Sequence, residues 1–229
     1  MKSGYNGGMT RISALPLFLL NTVLFPGQLL PLHIFEPRYR TMVGECLAAE
    51  SPFGVVLIRE GREVGAAAVP FDVGTTARIG QVERLDDGRL NILCVGDARF
   101  RLKRVFNDRP FLTGNVDVWP WEPLSAADAE PRASRIKMLL TRYVLLLSKA
   151  TGNAISLDEM PTEAERLANL AAIVLQVPNH EKQTLLSVAS LSDLLDGCID
   201  LLKRENRAIS IASSIPSDGA DDSFPFSNN

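Results

Sequence analysis

Histidine and cysteine are scarce in this chain, and the few present are scattered. Two histidines, His33 and His180, and three cysteines, Cys46, Cys94 and Cys198, are spread over 229 residues with no Cys-x-x-Cys pair. A zinc site needs four clustered ligands, or three and a water, at recognisable spacing, so no metal is expected. The three distant thiols read as reduced, mostly buried small hydrophobes in a reducing cytoplasm. No Gly-x-x-x-x-Gly-Lys-Ser/Thr loop occurs, which removes the usual cradle for ATP phosphates on a helix N-terminus. Positive charge is not in excess: 24 Lys and Arg against 27 Asp and Glu leave a net charge of -3. Nucleic-acid domains usually gather surplus cations, so that partner class is disfavoured. Long apolar runs are also missing. The longest, MLLTRYVLLL, is interrupted by Arg142 and is far shorter than the roughly 20 residues that span a bilayer. The opening MKSGYNGGMTRIS has no apolar run of the kind a secretory signal carries. These absences predict a soluble, cytoplasmic protein with no cofactor and no membrane segment.

What is present suits a globular chain. Hydrophobic residues make up 46% and charged residues 22%, enough to bury a core without staples. The first half reads as β structure. Residues 12–20, 28–35, 53–58, 73–85, 89–95, 99–106 and 111–119 are strand-length, rich in Val, Ile, Leu and Phe, and bounded by Gly, Pro or Asp. Asp87-Gly88 marks a hairpin, because glycine accepts positive φ without steric cost. In RFRLKRV, Phe100 and Leu102 alternate with Arg99, Arg101 and Lys103, predicting one buried face and one wet face. The alternation slips at Arg104-Val105, the mark of a bulge. One helix interrupts the strands: Glu36 at the cap, Pro37 in the first turn, then Arg38 to Ala49. Tyr39, Met42, Val43, Cys46 and Leu47 give it one apolar stripe that plugs a barrel mouth.

Beyond Pro120 the composition changes. Pro120, Pro123 and Pro131 punctuate a linker, and helices follow. Ile136, Leu139, Leu140, Tyr143 and Leu147 mark the first, ending near Thr151-Gly152-Asn153. Thr162 and Glu165 stand in capping-box spacing for the second. A third runs from Glu181 to Ala189. Ser190 to Asp193 cap a fourth, whose KRENR run, Lys203–Arg207, is expected near its C-terminus, where the helix dipole favours cations. The expected organisation is α+β: a loose start over 1–11, a β-rich unit over 12–121, a helical unit over 122–210, and a disordered tail over 211–229.

The segment LPLFLLNTVLFPGQLLPLHIFEPRYRTM, residues 15–42, resembles the amino-terminal end of the Lon protease substrate-binding domain. There a strand, an F-P-G turn, an L-P-L-x-I-F-E strand and a P-R-Y helix start follow one another. Two further stretches are similar to the same family: VGTTARIGQVERLDDGRLNILCVGDARFRLKRV, and LANLAAIVLQVPNHEKQTLL in the helical half. The resemblance covers roughly residues 12–205. It implies a β-rich, PUA-like pseudobarrel followed by a helical bundle, and a module that handles polypeptide without chemistry of its own. It also implies a stand-alone form, without the ATPase and protease domains of full-length Lon proteases.

The candidate residues each have a plainer reading. His33 sits between Leu32 and Ile34 with no neighbouring nucleophile, so a packed or hydrogen-bonded histidine is favoured over a base. Glu36-Pro37-Arg38-Tyr39 explains itself as a capped helix start, with Arg38 paired to a carboxylate and Tyr39 packed. Its functional reading is a recognition surface beside an apolar strand. The basic strand Arg99, Arg101, Lys103, Arg104 reads as a solvated barrel face before an RNA surface. Trp119 and Trp121 flank Pro120 and more often wedge two subdomains than hold a ligand. The expected substrate-binding set is Phe35, Glu36, Arg38, Tyr39, Trp119 and Trp121; the client is expected to lay apolar side chains into a groove between barrel and bundle and to pair with an open strand edge, and no catalytic residue is assigned. The expected partners are unfolded or apolar polypeptide segments, with a protease, a chaperone or further copies of the chain supplying avidity. The alternatives are small-molecule or RNA binding in the barrel mouth and, behind these, a peptidase.

Overall fold

The computed structural model describes residues 10–61, 68–153 and 160–214. Its first half holds β1 (Arg11–Leu20), β2 (Leu29–Ile34), α1 (Pro37–Ala48), β3 (Phe53–Glu60), β4 (Val69–Pro70), β5 (Val73–Arg84), β6 (Leu90–Phe106) and β7 (Thr113–Val118). Its second half holds α2 (Ala126–Thr151), α3 (Ala164–Val174), α4 (Asn179–Ser187) and α5 (Leu191–Ser214). The strand pairings form a closed circuit. β1 pairs antiparallel with β7, β7 with β6, β6 with β5 and β5 with β3, and β3 returns to β1 as a parallel neighbour. The short β4 extends from β3, and β2 stands outside the circuit on the first half of β6. The pseudobarrel and the helical second half are both present.

The two strands expected over 89–95 and 99–106 are one 17-residue strand, β6. One edge of it serves two neighbours in succession, β2 along Leu90–Val95 and β7 along Phe100–Phe106. Its other edge runs along β5. Gly96, which looks like a break in the sequence, marks a close approach instead: a Cβ there would collide with the Phe25 carbonyl oxygen. The expected bulge is real and lies between Leu102 and Arg104, where the β6–β7 register shifts. The hairpin at Asp87-Gly88 also forms, with Gly88 at φ +79 and the Leu85 N–H donating to the Arg89 carbonyl at 2.9 Å.

Helix α1 buries Tyr39, Met42, Val43 and Cys46. They join Phe18, Leu30, Ile34, Phe53, Ile92 and Cys94 in one cluster, and the Tyr39 ring stacks on Phe18 at 3.9 Å. Glu36 occupies the N-cap position but makes no cap bond; its carboxylate takes the Arg38 Nε–H at 2.9 Å.

The helical half departs from expectation at three places. Pro131 lies inside α2, not in a linker. It falls in the exposed second turn, where the only bond lost is one to the Ala127 carbonyl. Thr162 and Glu165 form no capping box, because α3 begins one residue later, with Glu163 at its N-cap and no side-chain cap bond. Helix α5 runs on to Ser214, into the stretch expected as tail, so Lys203–Arg207 lies mid-helix rather than at an end. There two of the three cations are held by side chains: Lys203 pairs with Asp200 at 3.0 Å, and Arg204 pairs with Glu181 and Glu205. The cap on α5 does form, with Ser190 Oγ accepting from the Asp193 N–H at 3.1 Å. The rest of the expected tail, 215–229, and the start, 1–9, lie outside the described residues.

Candidate functional site

Two regions gather the residues singled out by sequence: the seam between barrel and bundle, and the corner where β2 runs into α1.

At the seam, Arg99 overturns the expected wet face. It is 2% exposed. Its guanidinium lies over Trp119 and Trp121 at 4.0 and 4.1 Å from the ring centres, and Arg101 stacks on Trp119 at 3.7 Å. Arg99 Nε donates to the Trp119 carbonyl at 2.8 Å, and Nη1 donates to the carbonyls of Leu186, in the last turn of α4, and Val188, just after it. One barrel side chain therefore ties together the interdomain strand end and the bundle. Burial pulls its pKa down to about 9, opposed by Glu165 and aided by Arg101, so it stays charged at neutral pH. A buried cation is costly unless its donors are filled. Here three carbonyls fill Nε and Nη1 and two indole faces lie over the guanidinium plane, while Nη2 is buried without a hydrogen-bond partner among the described residues. Gln183 adds a second tie, donating to the Val73 carbonyl at 3.0 Å. Val23, Phe25, Leu57 and Val73 of the barrel share one apolar cluster with Ile136, Leu140, Tyr143 and Leu195 of the bundle.

The groove expected between the two halves is therefore closed along the tryptophans. Beside it, among the described residues, lies a shallow depression of about 460 Å³ lined by Phe71, His180, Gln183, Thr184, Ser187 and Val188.

At the other corner, β2 is paired on one side only: its partner is β6, and among the described residues no strand adds to its other edge. The Gly96 N–H donates to the Gln28 carbonyl at 2.9 Å. Strand alternation then turns the backbone groups of Leu30, Leu32 and Ile34 toward β6 and those of Leu29, Pro31 and His33 outward. Pro31 has no N–H to offer, which suits an edge and removes one donor from it. The side chains split the same way. Leu30 and Ile34 are buried, whereas Leu29 is 60% and Phe35 51% exposed. Between them the surface is polar and ordered. His33 Nδ1 meets Asn91 Oδ1 at 2.7 Å, and Asn91 Nδ2 donates to Glu83 at 2.8 Å. An amide oxygen only accepts, so Nδ1 is the protonated nitrogen, and Nε2 is left to accept from Arg89 at 3.3 Å. His33 is thus a hydrogen-bonded surface residue, with no nucleophile in its bonding set.

The expected binding set divides accordingly. Phe35 is exposed, and Glu36 and Arg38 are half-buried and paired to each other. Tyr39 and Trp121 are each 5% exposed and belong to the core, in two different clusters. Trp119 is covered by arginines. Tyr39, Trp119 and Trp121 therefore form no common open surface with Phe35. Leu29 was missed: LLPLHIF is apolar at nearly every position, so only the proline in its middle marks which edge is free. All three cysteines are buried and free, with burial pushing Cys46 up to about 11 and Cys94 and Cys198 up to about 12. Among the described residues no group of three or more His, Cys, Asp or Glu gathers to hold a metal ion, and no helix is long and apolar enough to cross a membrane.

Residues 14–204 match the sequence profile of the ATP-dependent protease La (LON) substrate-binding domain. The chain belongs to that family. Among similar proteins, the Lon protease of Anaeromyxobacter dehalogenans is 26% identical over 208 residues, covering 90% of this chain and 25% of the relative. Lon protease 2 of Myxococcus xanthus is 27% identical, covering 87% of this chain and 24% of the relative. The chain thus spans about a quarter of the length of these relatives. The crystal structure of a Lon N-terminal domain protein from Xanthomonas campestris aligns with a TM-score of 0.58 at 25% identity, covering 90% of this chain and all of that one. The N-terminal domain of Mycobacterium avium complex Lon protease shares the fold, with a TM-score of 0.65 at 19% identity over 83% of this chain and 98% of that one. The family is the substrate-binding portion of the protease, as the opening motifs implied.

Proposed function

We propose that this chain is a non-catalytic module that binds exposed apolar segments of polypeptides, and that β2 is the strand that receives them. The observation that carries this reading is an edge strand paired on one side only, with Leu29 and Phe35 standing out of it at 60% and 51% exposure. An extended segment laid along β2 would find backbone groups at Leu29 and His33 and apolar contact at both ends. Because Pro31 withholds a donor, side-chain contact has to supply most of the affinity.

Burying three large side chains contributes roughly 5–8 kcal/mol at about 25 cal/mol/Å². Association and ordering cost at least about 4 kcal/mol. A single site therefore binds at about 1 mM or more weakly. Useful capture then requires several copies, or attachment to a protease or chaperone that holds the client elsewhere. The buried, free thiols suit a reducing cytoplasm.

The reading is tested by titrating a fluorescent apolar peptide and reduced, denatured casein against the chain, with a Leu29→Ser/Phe35→Ser double variant alongside. Saturable binding that the double variant weakens at least tenfold supports it. The absence of any saturable binding up to about 10 mM peptide removes it.

A further inference from the structure

The exposed side of β2 has a fixed spacing. Leu29 and Phe35 both stand out of it, six residues apart, with Pro31 and His33 between them on the same side and Leu30 and Ile34 buried on the other. Phe35 follows the last residue of β2, and its ring lies against that of His33 with the centres 6.1 Å apart, so the same side continues as far as Phe35. At about 3.3 Å per residue the two apolar side chains are roughly 20 Å apart. Neither residue between them offers a client side chain a free polar group. Pro31 has none, and both ring nitrogens of His33 are taken, Nδ1 by Asn91 and Nε2 by Arg89. Discrimination therefore falls to the two ends.

We infer that the client is an extended segment carrying two large apolar side chains six residues apart, one over Leu29 and one over Phe35, and that the strand selects this spacing rather than apolar content as such. The spacing counts only with β2 as the receiving strand, the reading on which it rests. Side chains of a strand alternate between faces, so only an even separation puts two of them on the side of Leu29 and Phe35. Six matches the distance between those residues, whether the client runs parallel or antiparallel to β2. A separation of five or seven turns one anchor away. Seven is instead the spacing a helical client would favour, because it returns a side chain to the same helical face after two turns. The backbone adds little preference of its own. Leu29 and His33 offer both N–H and C=O outward, whereas Pro31 offers only its carbonyl and leaves one client carbonyl unmatched.

The test titrates the full chain with short Ser/Thr host peptides carrying two leucines five, six or seven residues apart, up to about 10 mM, and follows amide shifts by NMR. The six-spaced peptide should move the signals of residues 29–35 and bind at least about fivefold tighter than the other two, as the loss of one partly buried anchor implies. In Leu29→Ser and in Phe35→Ser, each of which removes one end, that advantage should shrink to less than about twofold. Methylating alternate backbone nitrogens of the six-spaced peptide should weaken it at one set of positions only: the anchor set for an antiparallel client, the intervening set for a parallel one. Equal affinity at all three spacings, with shifts still centred on 29–35, overturns the spacing and leaves the receiving strand standing. Tightest binding at seven, or indifference to methylation at both sets, overturns it in favour of a client that is not a strand. Binding without shifts at 29–35, or no binding, overturns the receiving strand and the spacing together.

Discussion

At the seam an arginine meets two indoles and is 2% exposed, its Nε and Nη1 donors spent on carbonyls from two different subdomains; at the β2 corner Phe35 is 51% exposed and the neighbouring arginine is occupied by Glu36. Both regions place aromatic rings beside cations, and both are reached by polar backbone. The difference is what covers them. The seam is covered from both sides, so its aromatic and cationic groups fasten the molecule. The corner is covered from one side, which leaves apolar surface and, among the described residues, an unpaired strand edge exposed. Residue type alone does not separate a fastener from a docking surface. Coverage does.

The sharpest way to break the comparison is to unfasten the seam. Arg99→Met removes the donors of three buried carbonyls and should cost about 3–5 kcal/mol, lowering Tm by roughly 10 °C for a chain of this size. Thermal melts followed by circular dichroism check it, and an unchanged Tm would show that the tryptophans hold the seam without the arginine. Arg99→Lys keeps the charge but not the fork, and should recover less than half of that loss.

The corner should respond the opposite way. Leu29→Ser/Phe35→Ser is expected to change stability by less than about 0.5 kcal/mol while weakening apolar peptide binding by about 10–100-fold, as two lost partly buried side chains imply. Loss of folding in this variant would mean the corner is core after all.

Contacts inside the bundle should be intermediate in effect and local. Ser190→Ala removes the α5 cap and should cost about 1 kcal/mol. Tyr143→Phe takes away the oxygen that accepts the Gln176 N–H at 2.9 Å, again about 1 kcal/mol; neither should alter peptide binding.

The smallest effects are chemical. With thiols pushed up to about 11 and 12 by burial, Cys46, Cys94 and Cys198 should resist a thiol reagent at pH 8 in the native state and react once unfolded. Arg11 holds the Asp117 carboxyl below its ordinary range, and Arg204 does the same for Glu181. A depressed carboxyl stabilises the fold above its unfolded pKa, and the contribution fades as pH falls through the folded one. Melts from pH 7 to pH 3 should therefore show a loss on the acid side that Asp117→Asn flattens.

Much of this architecture was legible in the chain. Proline, glycine and aspartate punctuation separated the strands, the change at Pro120 separated the halves, and the stripe Tyr39, Met42, Val43, Cys46 oriented α1. The burial of Arg99 was not legible, because alternation along β6 tells which face a side chain takes and not what comes to lie on that face. The polypeptide that covers it, between Leu186 and Val188, is nearly ninety residues away in sequence. The continuity of β6 was hidden for a similar reason, since Gly96 looks like a turn until Phe25 is seen beside it. Pro131 misled because its cost depends on position in a helix whose start was not yet known. At the candidate site Phe35 was legible from its place between strand and helix. Leu29 was not, since LLPLHIF shows no polar alternation to tell the covered edge from the open one.

The most direct measurement is hydrogen exchange of the full chain with and without saturating apolar peptide, read segment by segment. The account predicts new protection confined to β2 and the start of α1, absent in Leu29→Ser/Phe35→Ser, with exchange at the seam unchanged. Protection that appears at Phe71 and α4 instead, or that persists undiminished in the double variant, would contradict it.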